Sequence, residues 1–81
     1  MIVHIKEIIK KAQKGNYAIG AFNTINLETT ISILRAAQKM KSPVIIQISP
    51  RTIEYAGFKT IMGIIEKVAR AEAKSIPIAV H

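Results

Sequence analysis

Three short apolar segments, each preceded by a stretch of helical periodicity, set the limits on what this chain can become. They lie at residues 17–23, 44–49 and 76–81. Strands separated by helices return to the same end of a sheet, so they pair in parallel through crossovers. The implied class is α/β, with order helix, strand, helix, strand, helix, strand. An 81-residue chain holds at most one domain.

The helical stretches carry their own start and stop signals. Ile5, Ile8, Ile9 and Ala12 recur at helical spacing and form one apolar stripe. Gly15-Asn16 closes that helix, since both residues tolerate the left-handed conformation. Asn26 can cap a second helix with its side-chain oxygen, and Glu28 favours its positive end. That helix is expected to run to about Lys41, with Leu27, Ile31 and Leu34 on one face and Ala36, Ala37 and Met40 beside them. Ser42-Pro43 ends it, because proline disfavours a helical residue before it. Residues 51–56 suggest a short helical turn before Gly57. Ile61, Ile64, Ile65 and Val68 mark a further helix over about 59–74, where Gly63 is expected to permit close packing.

The strand at 44–49, VIIQIS, is almost continuously β-branched, as when helices cover one face and a core fills the other. The strand at 17–23 reads as buried. Pro77 is tolerable near the start of the third strand. The strands begin near residues 17, 43 and 76. A (β/α)8 barrel allots roughly 31 residues to each unit, and three units fit. A small doubly wound sheet uses similar intervals, so spacing alone leaves both open. A three-stranded parallel sheet leaves two bare edges, as in the front part of something larger.

Composition removes several function classes. The chain has no cysteine, which excludes disulfides, thiol catalysis and thiolate metal sites. It has no aspartate, so no Ser/His/Asp set can be assembled. Its only histidines are His4 and His81, far apart in sequence; His4 reads as a surface residue. The glycines form no phosphate-cradling loop of the GxGxxG or GxxxxGK type. Glu66 and Glu72 read as balancing nearby lysines. No apolar run approaches the roughly 18 residues of a membrane span, and the N-terminus lacks a signal-peptide core. A cytoplasmic protein is expected. The net charge is +7, but the lysines are scattered through helical patterns and aromatics make up only 5%. Solvated helix faces explain this charge better than a nucleic-acid footprint does.

The polar residues at strand ends are more informative. Side chains alternate along a strand, so Asn23 shares a face with Ile19 and Ala21. Gln47 and Ser49 share theirs with Ile45, and His81 shares its face with Ala79. Each strand therefore ends on a polar group on an otherwise apolar face. In parallel α/β folds that end binds ligands. The competing explanation is local backbone hydrogen bonding. Taken as a set, with a glutamine inside a β-branched run, these residues favour a ligand site.

Four stretches in order carry a family resemblance: 17–23 (YAIGAFN), 42–49 (SPVIIQIS), 55–60 (YAGFKT) and 76–81 (IPIAVH). The chain resembles the beginning of the class II, metal-dependent fructose-bisphosphate aldolases, and tagatose-bisphosphate aldolases share the pattern. The resemblance covers essentially the whole chain. It implies that residues 1–81 are an N-terminal fragment holding the first three strands and intervening helices of a TIM (β/α)8 barrel. It also implies reversible zinc-dependent cleavage of a ketose bisphosphate into dihydroxyacetone phosphate and an aldehyde. The zinc ligands and the catalytic aspartate would lie beyond His81, which matches the histidine before that aspartate and is not itself assigned as a ligand. Ser49 matches the serine that contacts the aldehyde-half phosphate, and Asn23 and Gln47 match residues lining the substrate site. Many members have Glu-Gly where this chain has Pro50-Arg51, which bears on the local loop. The implied partner is a phosphorylated sugar, with no nucleic acid or membrane, and a homo-oligomer is expected. The reading set against it is a stand-alone basic α/β module that binds a polyanion.

Overall fold

A computed structural model describes all of residues 1–81. Its elements are α1 (Ile5–Gly15), β1 (Gly20–Asn23), α2 (Leu27–Lys39), β2 (Val44–Gln47), α3 (Pro50–Ala56), α4 (Phe58–Glu72) and β3 (Ile78–Val80). No helix is long and apolar enough to cross a membrane.

The helix ends follow local chemistry. His4 caps α1 by accepting from the Lys6 amide through Nδ1. Asn16, at φ 55°, ends α1 in the left-handed conformation, with its own amide and that of Tyr17 returned to helix carbonyls. At α2, Asn26 Oδ1 accepts from the Thr29 amide at 2.8 Å, and Thr29 Oγ1 accepts from the Asn26 amide. Lys41 takes the left-handed position after α2, so the Ser42 amide reaches Ala37 O at 3.0 Å. Gly57 separates α3 from α4 at φ 86°, a conformation closed to other residues without strain.

β1, β2 and β3 form one parallel sheet in chain order. α2 and α4 both lie on the same face, where Leu34, Ile61, Ile65 and Val68 pack with Val44, Ile46 and Ile78. A doubly wound sheet reverses strand order to place helices on both faces; no such reversal occurs within residues 1–81. α1 packs against the opposite face through Ile8, which meets Ile45 and Ala79. Burying each large apolar side chain of these clusters contributes roughly 1.5–3 kcal/mol, opposed by the entropy of ordering the chain. Arg35 and Glu72 form an ion pair at 2.9 Å between α2 and α4, and Gln38 bonds Ser75 just before β3.

Several expectations change. β1 is exposed along its whole length, because it lies at the sheet edge and the α1 cluster on the inner face takes in only Ile19, just before it. Ile9 points to solvent, since α1 buries only Ile8 and Ala12. Leu27 and Met40 are 46% and 73% exposed. The side of α2 that carries Met40 faces the uncovered β1 edge. Nothing approaches Gly63 closely, so close packing does not explain that glycine. Glu72 pairs with an arginine across the α2–α4 interface, not with lysines on its own helix.

The two sheet edges also differ. Met1–Val3 runs alongside β3: Val3 N donates to Ile78 O at 2.8 Å, and Ile78 N donates to Met1 O at 2.9 Å. The β1 edge has no such cover, and Phe22, Ile33, Ala36, Met40 and Pro43 line an apolar groove of about 390 Å³ beside it. An unpaired edge next to exposed apolar surface is a template for association. The 81-residue polypeptide alone is therefore expected to self-associate through β1, more strongly as salt screens its +7 charge. Sedimentation at low and moderate salt checks this, and Phe22→Lys should shift the population toward monomer. A slowly exchanging monomer at both salts would contradict it.

Candidate functional site at the strand ends

β2 decides what the upper end of the sheet presents. Val44 and Ile46 face α2 and α4, so alternation sends Ile45, Gln47 and Ser49 to the other face. The register pairs Asn23 with Gln47 and Ala21 with Ile45 and Ala79. The ladder runs on past β3: His81 N donates to Ile46 O at 2.8 Å, and Ile48 N donates to His81 O at 2.8 Å. Asn23, Gln47 and His81 thus occupy one level across three strands, on the face opposite the helices. Below them, Ile45 and Ala79 are covered by α1. α1 leaves the row above them open.

The three side chains of this row differ from the neighbouring polar residues. Asn23 and His81 are exposed and Gln47 is half-buried. None of the three contributes its side chain to a hydrogen bond within the chain, and no buried polar side-chain atom lacks a partner. Local backbone hydrogen bonding therefore does not account for their presence. Two amides and an imidazole offer donors and acceptors together on a mostly apolar floor.

Ser49 is placed differently. It is the N-cap of α3: Oγ accepts from the Thr52 amide at 3.2 Å and lies 3.1 Å from Thr52 Oγ1. Pro50 follows at the first helical position, where its missing N–H costs nothing. A hydroxyl has one proton and two lone pairs. Ser49 can accept from the Thr52 amide and hydroxyl while its own proton points elsewhere. Capping and ligand binding are compatible at this atom. The Ser-Pro-x-Thr sequence carried the signal for this cap, which the reading of the sequence did not use.

Arg51 is exposed and makes no ion pair. The guanidinium of Arg35 holds the Glu72 carboxyl below its ordinary range, chiefly by hydrogen bonding, and the same bond raises Arg35. That pair joins α2 to α4 on the helix side of the sheet and takes no part in the row. A cleft of about 500 Å³ lies among Met1, Ile2, Glu66, Ala69, Arg70 and Lys74, away from the strand ends. A cleft of about 360 Å³ reaches Asn23 from the β1 edge, past Phe22, Glu28 and Thr29. No group of three His, Cys, Asp or Glu side chains stands together in a way that could hold a metal ion.

Comparison with known proteins bears on the family and the fold. Among curated relatives, a fructose-bisphosphate aldolase of Thermus caldophilus is 43% identical over the whole chain, which spans 26% of that enzyme. The corresponding enzyme of Geobacillus stearothermophilus is 40% identical over 99% of the chain and 28% of its own length. A 6-phospho-5-dehydro-2-deoxy-D-gluconate aldolase of Bacillus subtilis is 41% identical over 98% of the chain, again 28% of that enzyme. The chain thus spans between a quarter and a third of these relatives. The crystal structure of the YdjI aldolase from Escherichia coli K12 superposes with a TM-score of 0.81 at 25% identity, over 99% of this chain and 31% of that one. The family model for class-II fructose-bisphosphate aldolase matches residues 3–81. By its sequence over almost its whole length, the chain belongs to the class-II fructose-bisphosphate aldolase family.

Proposed function

We propose that residues 1–81 form the N-terminal segment of a single (β/α)8 barrel domain that cleaves fructose 1,6-bisphosphate reversibly to dihydroxyacetone phosphate and glyceraldehyde 3-phosphate. One observation carries this reading: Asn23, Gln47 and His81 share one level on the open face of a parallel sheet, just below Ser49. In a barrel this face is the interior and this level is its mouth, where active sites sit. Both crossover helices on one face, with strands in chain order, support closure in that sense.

In this reading, Ser49 donates its free proton to a phosphate oxygen of the aldehyde half. The Asn23 and Gln47 amides hydrogen-bond the sugar-phosphate chain across the strands and hold it in register. Such contacts fix the reacting carbons relative to the catalytic groups. The family is generally zinc-dependent, but residues 1–81 hold no cluster of ligands. In this reading the zinc ligands come from residues beyond 81. The complete protein is proposed to be a cytoplasmic homo-oligomer. Relatives named for two different phosphorylated substrates match almost equally well. Fructose 1,6-bisphosphate should therefore be assayed beside tagatose 1,6-bisphosphate and 6-phospho-5-dehydro-2-deoxy-D-gluconate. A kcat/KM for the fructose substrate below either of the others would refute the substrate assignment.

Two expectations follow from the residue roles. The 81-residue chain alone, supplied with zinc, should show no cleavage in a coupled assay; zinc-dependent turnover by it would place the catalytic groups within these residues. In the complete enzyme, Ser49→Ala should lower kcat/KM by about ten- to hundredfold at unchanged zinc content, since a hydrogen bond to a charged group is worth about 1.5–3 kcal/mol. Losing the α3 cap also costs about 1 kcal/mol in Ser49→Ala, whereas glycine keeps most of the capping preference. Ser49→Gly should therefore lose activity to the same extent while melting closer to the parent. Wild-type kinetics in both variants would remove Ser49 from the site.

A further inference from the structure

Directly after Asn23 the chain buries a cluster of hydroxyls. Thr24 and Thr30 are fully buried, and Thr29 lies beside them. Thr24 Oγ1 is 2.5 Å from Thr30 Oγ1 and 2.9 Å from Thr29 Oγ1. Thr30 Oγ1 donates to Asn26 O at 2.7 Å. Proton counting gives the cluster a direction. Thr30 gives its proton to Asn26 O, so in the short Thr24–Thr30 contact Thr24 is the donor, with Asn26 O at 3.3 Å as its second, longer acceptor. Thr29 accepts from the Ile25 and Asn26 amides and donates to Asn26 Oδ1 or to Thr24. Apolar side chains at 24 and 30 would fill the same space without needing partners, whereas buried hydroxyls are stable only when bonded.

The backbone at Thr24 is held as well. Its amide donates to Gln47 O at 3.0 Å, the rung immediately above the Asn23–Gln47 pair. The peptide joining Asn23 to Thr24 is therefore gripped from two directions, by β2 through its N–H and by α2 through the Thr24 side chain. Asn23 faces the open side and Thr24 the helix side, so a displacement of Thr24 would carry the end of β1, and Asn23 with it, out of the row.

We propose that Thr24, locked by Thr30, is a positioning residue for substrate: it sets the direction of the Asn23 amide and the Asn23–Gln47 spacing at the barrel mouth. This rests on the assignment of Asn23 to the substrate site. It does not make Thr24 a contact of the substrate.

The test uses the complete enzyme with fructose 1,6-bisphosphate. Thr24→Val keeps the shape and removes the hydroxyl without orphaning a donor, since the Thr30 proton stays on Asn26 O. Thr24→Val is expected to lower kcat/KM by about tenfold, because small misplacements of binding groups are costly, while Thr24→Ser stays within about twofold of the parent. In an Asn23→Ala background, Thr24→Val should cost less than about twofold more, since residues acting through one another are non-additive. The same tenfold loss in both backgrounds, or a lowered melting temperature with unchanged kinetics, would overturn the proposal. Where Thr24→Val does not fold, Thr30→Val is the second variant. It is expected to give the same loss, and parent-like kinetics there would be equally contrary. Full activity of Asn23→Ala would overturn the site assignment and this inference with it. An impaired Asn23→Ala beside a parent-like Thr24→Val would overturn this inference alone.

Discussion

The packing of β2 between two unlike environments governs the rest of this structure. Ile46 is fully buried against the layer of α2 and α4, and Val44 lies beside it. With those two fixed, the pleat sends Ile45 and Gln47 to the opposite side. A slip of one residue would drive the Gln47 amide into the helix layer and expose Ile46. Burying an unpartnered amide and exposing an isoleucine each cost on the order of kcal/mol. The register that places Gln47 beside Asn23 is therefore enforced by the core, on the far side of the sheet from that polar row.

α1 contributes through where it stops. Ile8 covers Ile45 and Ala79, which closes the lower part of the inner face. Nothing from α1 reaches the level of Asn23, Gln47 and His81. The inner face is thus divided into a dry floor and a polar upper row. Amides and hydroxyls bind charged ligands more strongly over an apolar floor than in open water. Met1–Val3 adds to the same lower level by bonding both polar groups of Ile78.

Ser49 shows how a helix cap can keep a hydrogen-bonding group in reserve. As the N-cap of α3 it completes the turn out of β2, and the Pro50 that follows sets the helical start. Its proton is free of that duty. A function that used only the proton would cost the fold nothing, so the cap is compatible with the ligand contact proposed for Ser49.

Much of this was legible along the chain. The apolar spacings in 5–14 and 61–68 identified helices, Asn26 identified a cap, and the β-branched run at 44–49 identified the central strand. Alternation alone put Asn23, Gln47 and His81 at strand ends on a common kind of face, because a period of two is a local property of extended backbone. Other features are properties of the assembled sheet. Tyr17, Phe22, Leu27 and Met40 are as apolar as the core residues, yet all are largely exposed, since burial depends on which neighbours reach them. The level shared by Asn23, Gln47 and His81 required the inter-strand register, set by packing between residues far apart in sequence. The sequence by itself determined which residues could form strands, helices and caps, since those choices rest on near-neighbour sterics and hydrogen bonds. Only the tertiary structure decided that both crossover helices share one face and that α1 covers the lower half of the other, because helices find their place by burying apolar surface against distant partners.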